Sequence, residues 1–238
     1  HRYSSAASDV YKRQSYRIIN KEKFVEKLIN FSVDQDHFIL LNSNNNSDKY
    51  DLLCGYGVKS FIKSSENSLT KLDNFFELKK DWLFGYMTYD LRNEIEVLND
   101  DNIDFINMPN LYFFQPEIVW YVKGKIVTGL SFEKDLIDND WKKFNEISEK
   151  EKTENSNIVK LNLRNSKSEY INKVNKIKER IFRGDCYEMN FCFDLFSEYD
   201  EINPYDTYVK LNNYTKSPMS SFLKAVSYTH LRAHETSP

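Results

Sequence analysis

Arg183-Gly184-Asp185-Cys186-Tyr187-Glu188-Met189-Asn190-Phe191 is the stretch from which the fold can be read. Upstream of it Ile171, Val174, Ile177 and Ile181 recur at helical spacing, with Ser168 placed as an N-cap. Gly184 stands where a left-handed residue ends a helix. Downstream, Tyr187, Met189, Phe191, Phe193 and Leu195 alternate with Glu188, Asn190, Cys192 and Asp194, the period of a half-buried strand. Helix, Gly-Asp turn and one-faced strand follow in order. Asn203-Pro204 then starts another helix, capped by Asn with proline at its first position, and Ser217 to Leu223 reads as a further strand.

Working back toward the amino terminus, Ser148 to Asn157 is a charged, polar run with nothing to bury, and is read as a linker. Before it, helices are expected at Glu22 to Phe31 and Leu69 to Leu78. Strands are expected at His37 to Leu41, Tyr50 to Val58, Trp82 to Asp90, Leu111 to Val122 and Ile126 to Leu130. The first two of these strands, split by the polar Asn42 to Asp48, read as a hairpin. Gly85 predicts a bulge or a close backbone approach, and Pro116 an edge or a kink in the middle of its strand. These are antiparallel signals, not βαβ units, so the fold class is α+β: antiparallel β-sheets with helices packed outside.

Composition narrows the function. All four alanines (Ala6, Ala7, Ala225, Ala233) lie near the ends, and Ser4 to Gln14 and Val226 to Thr236 resemble translated sequencing-adapter sequence. Residues 1-14 and 225-238 are therefore read as appended. The organisation expected between them is an amino-terminal domain at 15-147, the linker at 148-157, and the beginning of a second domain at 158-224. The net charge of −3, with both signs interspersed, provides no basic stripe for nucleic acid and no polybasic membrane patch. No apolar run approaches the ~20 residues that span a bilayer. Cys54, Cys186 and Cys192 have neither zinc nor disulfide-framework spacing, and a cytoplasmic protein is expected. His37 next to an apolar strand reads as a core histidine. The carboxylates Asp100, Asp101 and Asp104, and Asp135, Asp138 and Asp140, read as turn caps facing solvent.

The order Gly184-Asp185-x-Tyr187-x-x-Asn190, Asn203-Pro204, Leu211, Ser217-Pro218-Met219 resembles the start of the chorismate-binding domain of aminodeoxychorismate and anthranilate synthases. Gly85-Tyr86-Met87-Thr88-Tyr89-Asp90 is similar to that family's G-Y-x-x-Y-D strand. The likeness extends over most of Phe38 to Leu223. It is nearest to component I of aminodeoxychorismate synthase, through Asp81-Trp82-Leu83-Phe84-Gly85-Tyr86 and Tyr112-Phe113-Phe114-Gln115-Pro116. Glu188 departs from the pattern, which has Gln there. Glutamine both donates and accepts, whereas an ionised carboxylate only accepts.

The resemblance implies a chorismate-utilising enzyme fold, truncated in this sequence. It implies chorismate and glutamine-derived ammonia as substrates, a glutamine amidotransferase subunit as partner, and Mg2+ held by glutamates. It also implies a nucleophilic lysine in a P-I-K-G-T motif. Neither that motif nor those glutamates occur in this sequence, so no catalytic residue and no metal ligand is carried over, and the chain alone is expected to be inactive and to fold poorly. Lys224 lies outside any such motif. What does carry over is an amino-terminal pocket for tryptophan, with Leu41 and Ser43 in an L-L-E-S-like segment, Tyr50 as an aromatic wall, and Pro218 and Met219 opposite. A turn hydroxyl for Ser43, a core aromatic for Tyr50 and packing roles for Pro218 and Met219 fit the same residues. Asn42 replaces the glutamate that would pair with a ligand ammonium, which disfavours feedback inhibition. Anthranilate synthase component I, with alanine at the lysine position, and a stand-alone tryptophan or small-ligand binding module are the alternatives.

Overall fold

The computed structural model describes residues 11–96, 104, 106–147, 160–197 and 202–225, and the backbone of 228–232. Two compact units divide it: His1–Glu149 with Pro204–Pro238, and Lys150–Asn203.

The first unit contains β1 (Lys12–Arg17), α1 (Lys21–Phe31), β2 (His37–Asn42), β3 (Leu52–Tyr56), β4 (Ser60–Ser64), α2 (Ser68–Lys79) and β5 (Phe84–Met87). It continues through β6 (Leu111–Gln115), β7 (Ile118–Lys123), β8 (Ile126–Ser131) and α3 (Lys134–Glu146). The second unit contributes β9 (Asn162–Leu163), α4 (Lys167–Phe182) and β10 (Leu195–Phe196). The chain then returns to the first as α5 (Pro204–Thr215), β11 (Ser220–Ala225) and β12 (Tyr228–Arg232). Seven strands form one sheet in the order β1-β8-β7-β3-β2-β11-β12, and β4-β6-β5 form a second. All ladders are antiparallel. The α+β class with antiparallel sheets is therefore observed.

Alternation along the strands builds two cores on opposite faces of the large sheet. Phe38, Leu40, Leu52, Cys54, Tyr56, Ile118, Trp120 and Val122 point to one face and meet α1, α3 and α5 through Phe24, Leu28, Ile29, Ile137, Phe144 and Tyr208. Ile39, Val119 and Leu223 point to the other and meet Phe84, Tyr112 and Phe114 of the small sheet. Central strands buried on both faces read as unbroken apolar runs, as Phe38 to Leu40 does.

Close approaches fix the layers. A Cβ on Gly129 would stand 2.7 Å from the Trp120 ring and 2.8 Å from Ile137, and one on Gly55 would stand 2.8 Å from the Phe84 ring. Gly85 has the backbone contact its sequence predicted, since a Cβ there would fall 1.9 Å from the Tyr112 carbonyl oxygen. The fully buried Trp120 donates its Nε1–H to Tyr56 Oη (2.9 Å), which donates to Asp140 Oδ2 (2.7 Å), while Lys143 Nζ reaches Asp140 Oδ1 at 3.0 Å. Burial and the Asp140 carboxylate hold the Tyr56 phenol well above its ordinary pKa, so it stays a donor.

Several expectations are corrected. Leu111 to Val122 is two strands in two different sheets, because Pro116 has no N–H for a ladder and Glu117 N turns to bond Tyr56 O. Asp140 is 2 % exposed and pairs inside the core instead of facing solvent. Asp138 accepts from Tyr16 Oη at 2.7 Å, and Asp104 does cap a turn, accepting from Ile106 N and Asn107 N. Asp100 and Asp101 lie outside the described residues. Helix α3 was not anticipated, although Ile137, Trp141 and Phe144 hold helical spacing. Of the residues read as appended, Lys12 to Gln14 belong to β1, and Ala225 and residues 228–232 to β11 and β12.

In the second unit the N-cap of α4 is Ser166, in a capping box with Glu169, two residues before the expected Ser168. Gly184 has φ +83°, and Gly184 N→Ile181 O and Asp185 N→Arg180 O close a Schellman motif. The strand expected from Tyr187 to Leu195 is reduced to Leu195–Phe196, paired with Asn162–Leu163. Tyr187, Met189 and Phe193 are exposed, because among the described residues no longer ladder or packed layer receives them. Tyr170 meets Phe191 at a tilt and Phe193 edge-on instead.

Two outcomes follow. Gly129→Ala forces Trp120 or Ile137 to shift and is expected to cost about 1–3 kcal/mol in urea unfolding; an unchanged midpoint would contradict the packing. His37 is buried among the edges of Phe61, Tyr112 and Phe114, and desolvation lowers its pKa below 6.5 despite the neighbouring Asp36. The folded state thus disfavours the imidazolium, the unfolded chain takes up the proton first, and stability is lost as pH falls below 6.5. His37→Phe should lose less stability than the parent between neutral and mildly acid pH, and parallel losses would refute the assignment.

Candidate functional site

The strand pairing that closes the sheet also brings distant residues together. β11 lies antiparallel to β2 with Ser220 opposite Asn42 and Ser221 opposite Leu41, although the two strands are far apart in sequence. Behind them α5 sends Tyr208, 2 % exposed, to the strand pair, where Ser220 Oγ donates to its hydroxyl at 3.1 Å. Burial pushes the Tyr208 phenol up to about 12, and hydrogen bonds with Ser220 and Asn42 oppose that shift. The phenol stays neutral and ties the two strands to the helix.

In front of the strand ends is a cavity of about 270 Å3 lined by Leu41, Ser43, Tyr50, Leu53, Pro218 and Met219. Asn42, Ser47 and Ser220 complete its lining. The five residues named from sequence, Leu41, Ser43, Tyr50, Pro218 and Met219, thus share one pocket. Tyr50 is half-buried, its ring 5.2 Å from that of Tyr121 and 6.4 Å from that of Trp82. Ser43 donates its hydroxyl to Asp51 O at 3.1 Å while its N–H bonds the same oxygen at 3.0 Å. The hydroxyl is therefore a turn fastener whose lone pairs remain to accept. Met219 is 73 % exposed and forms the open rim.

Carboxylates, lysines and histidines are missing from this lining, so what the pocket offers is shape, ring contact and neutral hydrogen bonds. Ser47, Leu53 and Ser220 were not picked out from sequence. The signal for Ser220 was present, because it lies two positions beyond Pro218 at the start of the strand; the β2–β11 register that aims it was not.

Lys224 Nζ donates to Ser32 O (3.3 Å) and Val33 O (2.7 Å), fastening a turn. A cavity of about 540 Å3 beside Ile39, Tyr86 and Leu223 has Asp90 and Asp104 as its carboxylates. Among the described residues no group of three or more His, Cys, Asp or Glu side chains could hold a metal ion. The Mg2+ implied by the resemblance finds no such group among them. No described helix is long and apolar enough to cross a membrane.

A comparison with curated proteins returned no significant match. The profile of the family described as chorismate binding enzyme matches residues 26–231, which takes in both units from α1 to β12. The motif order around Gly184, the antiparallel α+β architecture and that match agree, and the chain belongs to the chorismate binding enzyme family.

Proposed function

We propose that the chain is part of aminodeoxychorismate synthase component I, which converts chorismate and ammonia to 4-amino-4-deoxychorismate for folate biosynthesis. Ammonia comes from glutamine through an amidotransferase subunit. The observation that carries the choice within the family is Asn42. A carboxylate at that position would pair with the ammonium of a bound amino acid, whereas Asn offers only neutral bonds. The pocket of Leu41, Ser43, Tyr50, Pro218 and Met219 accordingly holds tryptophan as a structural ligand and not as a feedback inhibitor. The aromatic strands around Trp82 and Tyr112 support the same branch. The P-I-K-G-T motif that the resemblance implies does not occur in this sequence, so this chain by itself is expected to turn over no chorismate. The setting is the cytoplasm.

The second reading, anthranilate synthase component I, differs at the nucleophile and in the product. Reading the source locus downstream of Lys224 tests the choice. A P-I-K-G-T motif, together with formation of 4-amino-4-deoxychorismate by the intact enzyme from chorismate and ammonia, is the expected result. Alanine in place of that lysine, with anthranilate as product, would overturn it. For the pocket, calorimetry should detect tryptophan binding that weakens at least about tenfold in Tyr50→Ala. No heat with the parent chain would remove the tryptophan assignment.

A further inference from the structure

Asn42 lines a second cavity of about 280 Å3, whose chemistry is opposite to that of the aromatic pocket. We propose that it binds a small polar α-amino acid as the zwitterion. Its walls come from the first turns of α1, the Asn44-Asn45 turn after β2, and the end of α5.

Both signs of charge line it. Glu22 and Glu26 stand one turn apart on α1, where like charges repel, and a ligand ammonium between them would relieve that repulsion. Lys21 and Lys216 supply the positive side for a carboxylate. Lys21 Nζ reaches Asn45 Oδ1, whereas the side chains of Glu26 and Lys216 form no hydrogen bond or ion pair among the described residues and are available.

The floor is built and polar. Asn42 and Asn212 are 4 % and 7 % exposed. Asn44 Nδ2 donates to Asn212 Oδ1 at 2.9 Å and to Ser217 O at 2.6 Å, and Asn44 N donates to Asn42 Oδ1 at 3.0 Å. Asn212 Nδ2 returns a bond to Asn44 Oδ1 at 3.4 Å, so the amides are fixed before a ligand arrives, and the second lone pairs of their oxygens are left to accept from a side-chain amide or hydroxyl. The rim is held by left-handed backbone at Asn44, Asn45 and Lys216 (φ 47°, 71° and 47°). Val25 and Val209 are the apolar contacts, and no aromatic ring lines the cavity, so an apolar side chain gains little there. The volume suits one small metabolite and not a nucleotide.

Calorimetry of the chain with glutamine, asparagine and serine, against leucine and against analogues lacking the amino or the carboxyl group, tests the proposal. The polar zwitterions should bind, and loss of either charged group should weaken binding at least about tenfold. Lys216→Asn, which removes the charge and tolerates the left-handed backbone, and the double variant Glu22→Gln/Glu26→Gln should each weaken it to a similar extent without lowering the thermal midpoint. Tyr50→Ala should leave this affinity unchanged. No heat with any polar amino acid at about 10 mM, or an affinity untouched by both charge variants, would overturn the site.

Discussion

The contact of Trp120 with Gly129 is the constraint on which the rest of the first unit depends. Their positions are paired across β7 and β8, and only a residue without a Cβ lets the indole lie over the neighbouring strand against Ile137. The ring then reaches Phe144 and Trp141 of α3, and its N–H enters the chain of bonds through Tyr56 to Asp140. A carboxylate buried without partners would be costly; here a phenol and an ammonium satisfy it. Helix and sheet are thereby held together by packing and by one closed polar network.

On the opposite face the same economy of side chain lets a second sheet dock. Gly55 leaves room for Phe84, and Gly85 for the backbone of β6, so three layers form: helices, large sheet, small sheet. The candidate pocket lies where this frame is completed from a distant part of the chain. α5 and β11 arrive from beyond the second unit, β11 pairs with β2, and Tyr208 bolts the join through Ser220 and Asn42. Asn42 consequently lines both cavities, one aromatic and neutral, the other charged and rich in amides.

Much of this was legible in the residues, and the failures have physical causes. The period of Phe24, Leu28 and Ile29 and the run His37 to Leu41 announced α1 and β2, and Gly184 its left-handed cap, because those signals are local. All five pocket residues were named, but through resemblance; nothing in their spacing says that Pro218 meets Leu41, since only the β2–β11 ladder brings them together. Asp140 was assigned to solvent because a carboxylate in a polar run looks exposed until the phenol of Tyr56 is placed above it. The strand expected after Gly184 had the correct alternation and, among the described residues, no ladder partner beyond Asn162–Leu163. Alternation specifies a face and does not supply the layer that face needs.

Amide hydrogen exchange across β2 and β11 tests most directly whether the pocket is made by this long-range pairing. Phe38 to Asn42 and Ser220 to Ala225 should be protected together, exchange with the same free energy, and both slow further when tryptophan is added. Rapid exchange in Ser220 to Ala225 while β2 remains protected would show that the two strands do not pair, and would separate Pro218 and Met219 from the pocket.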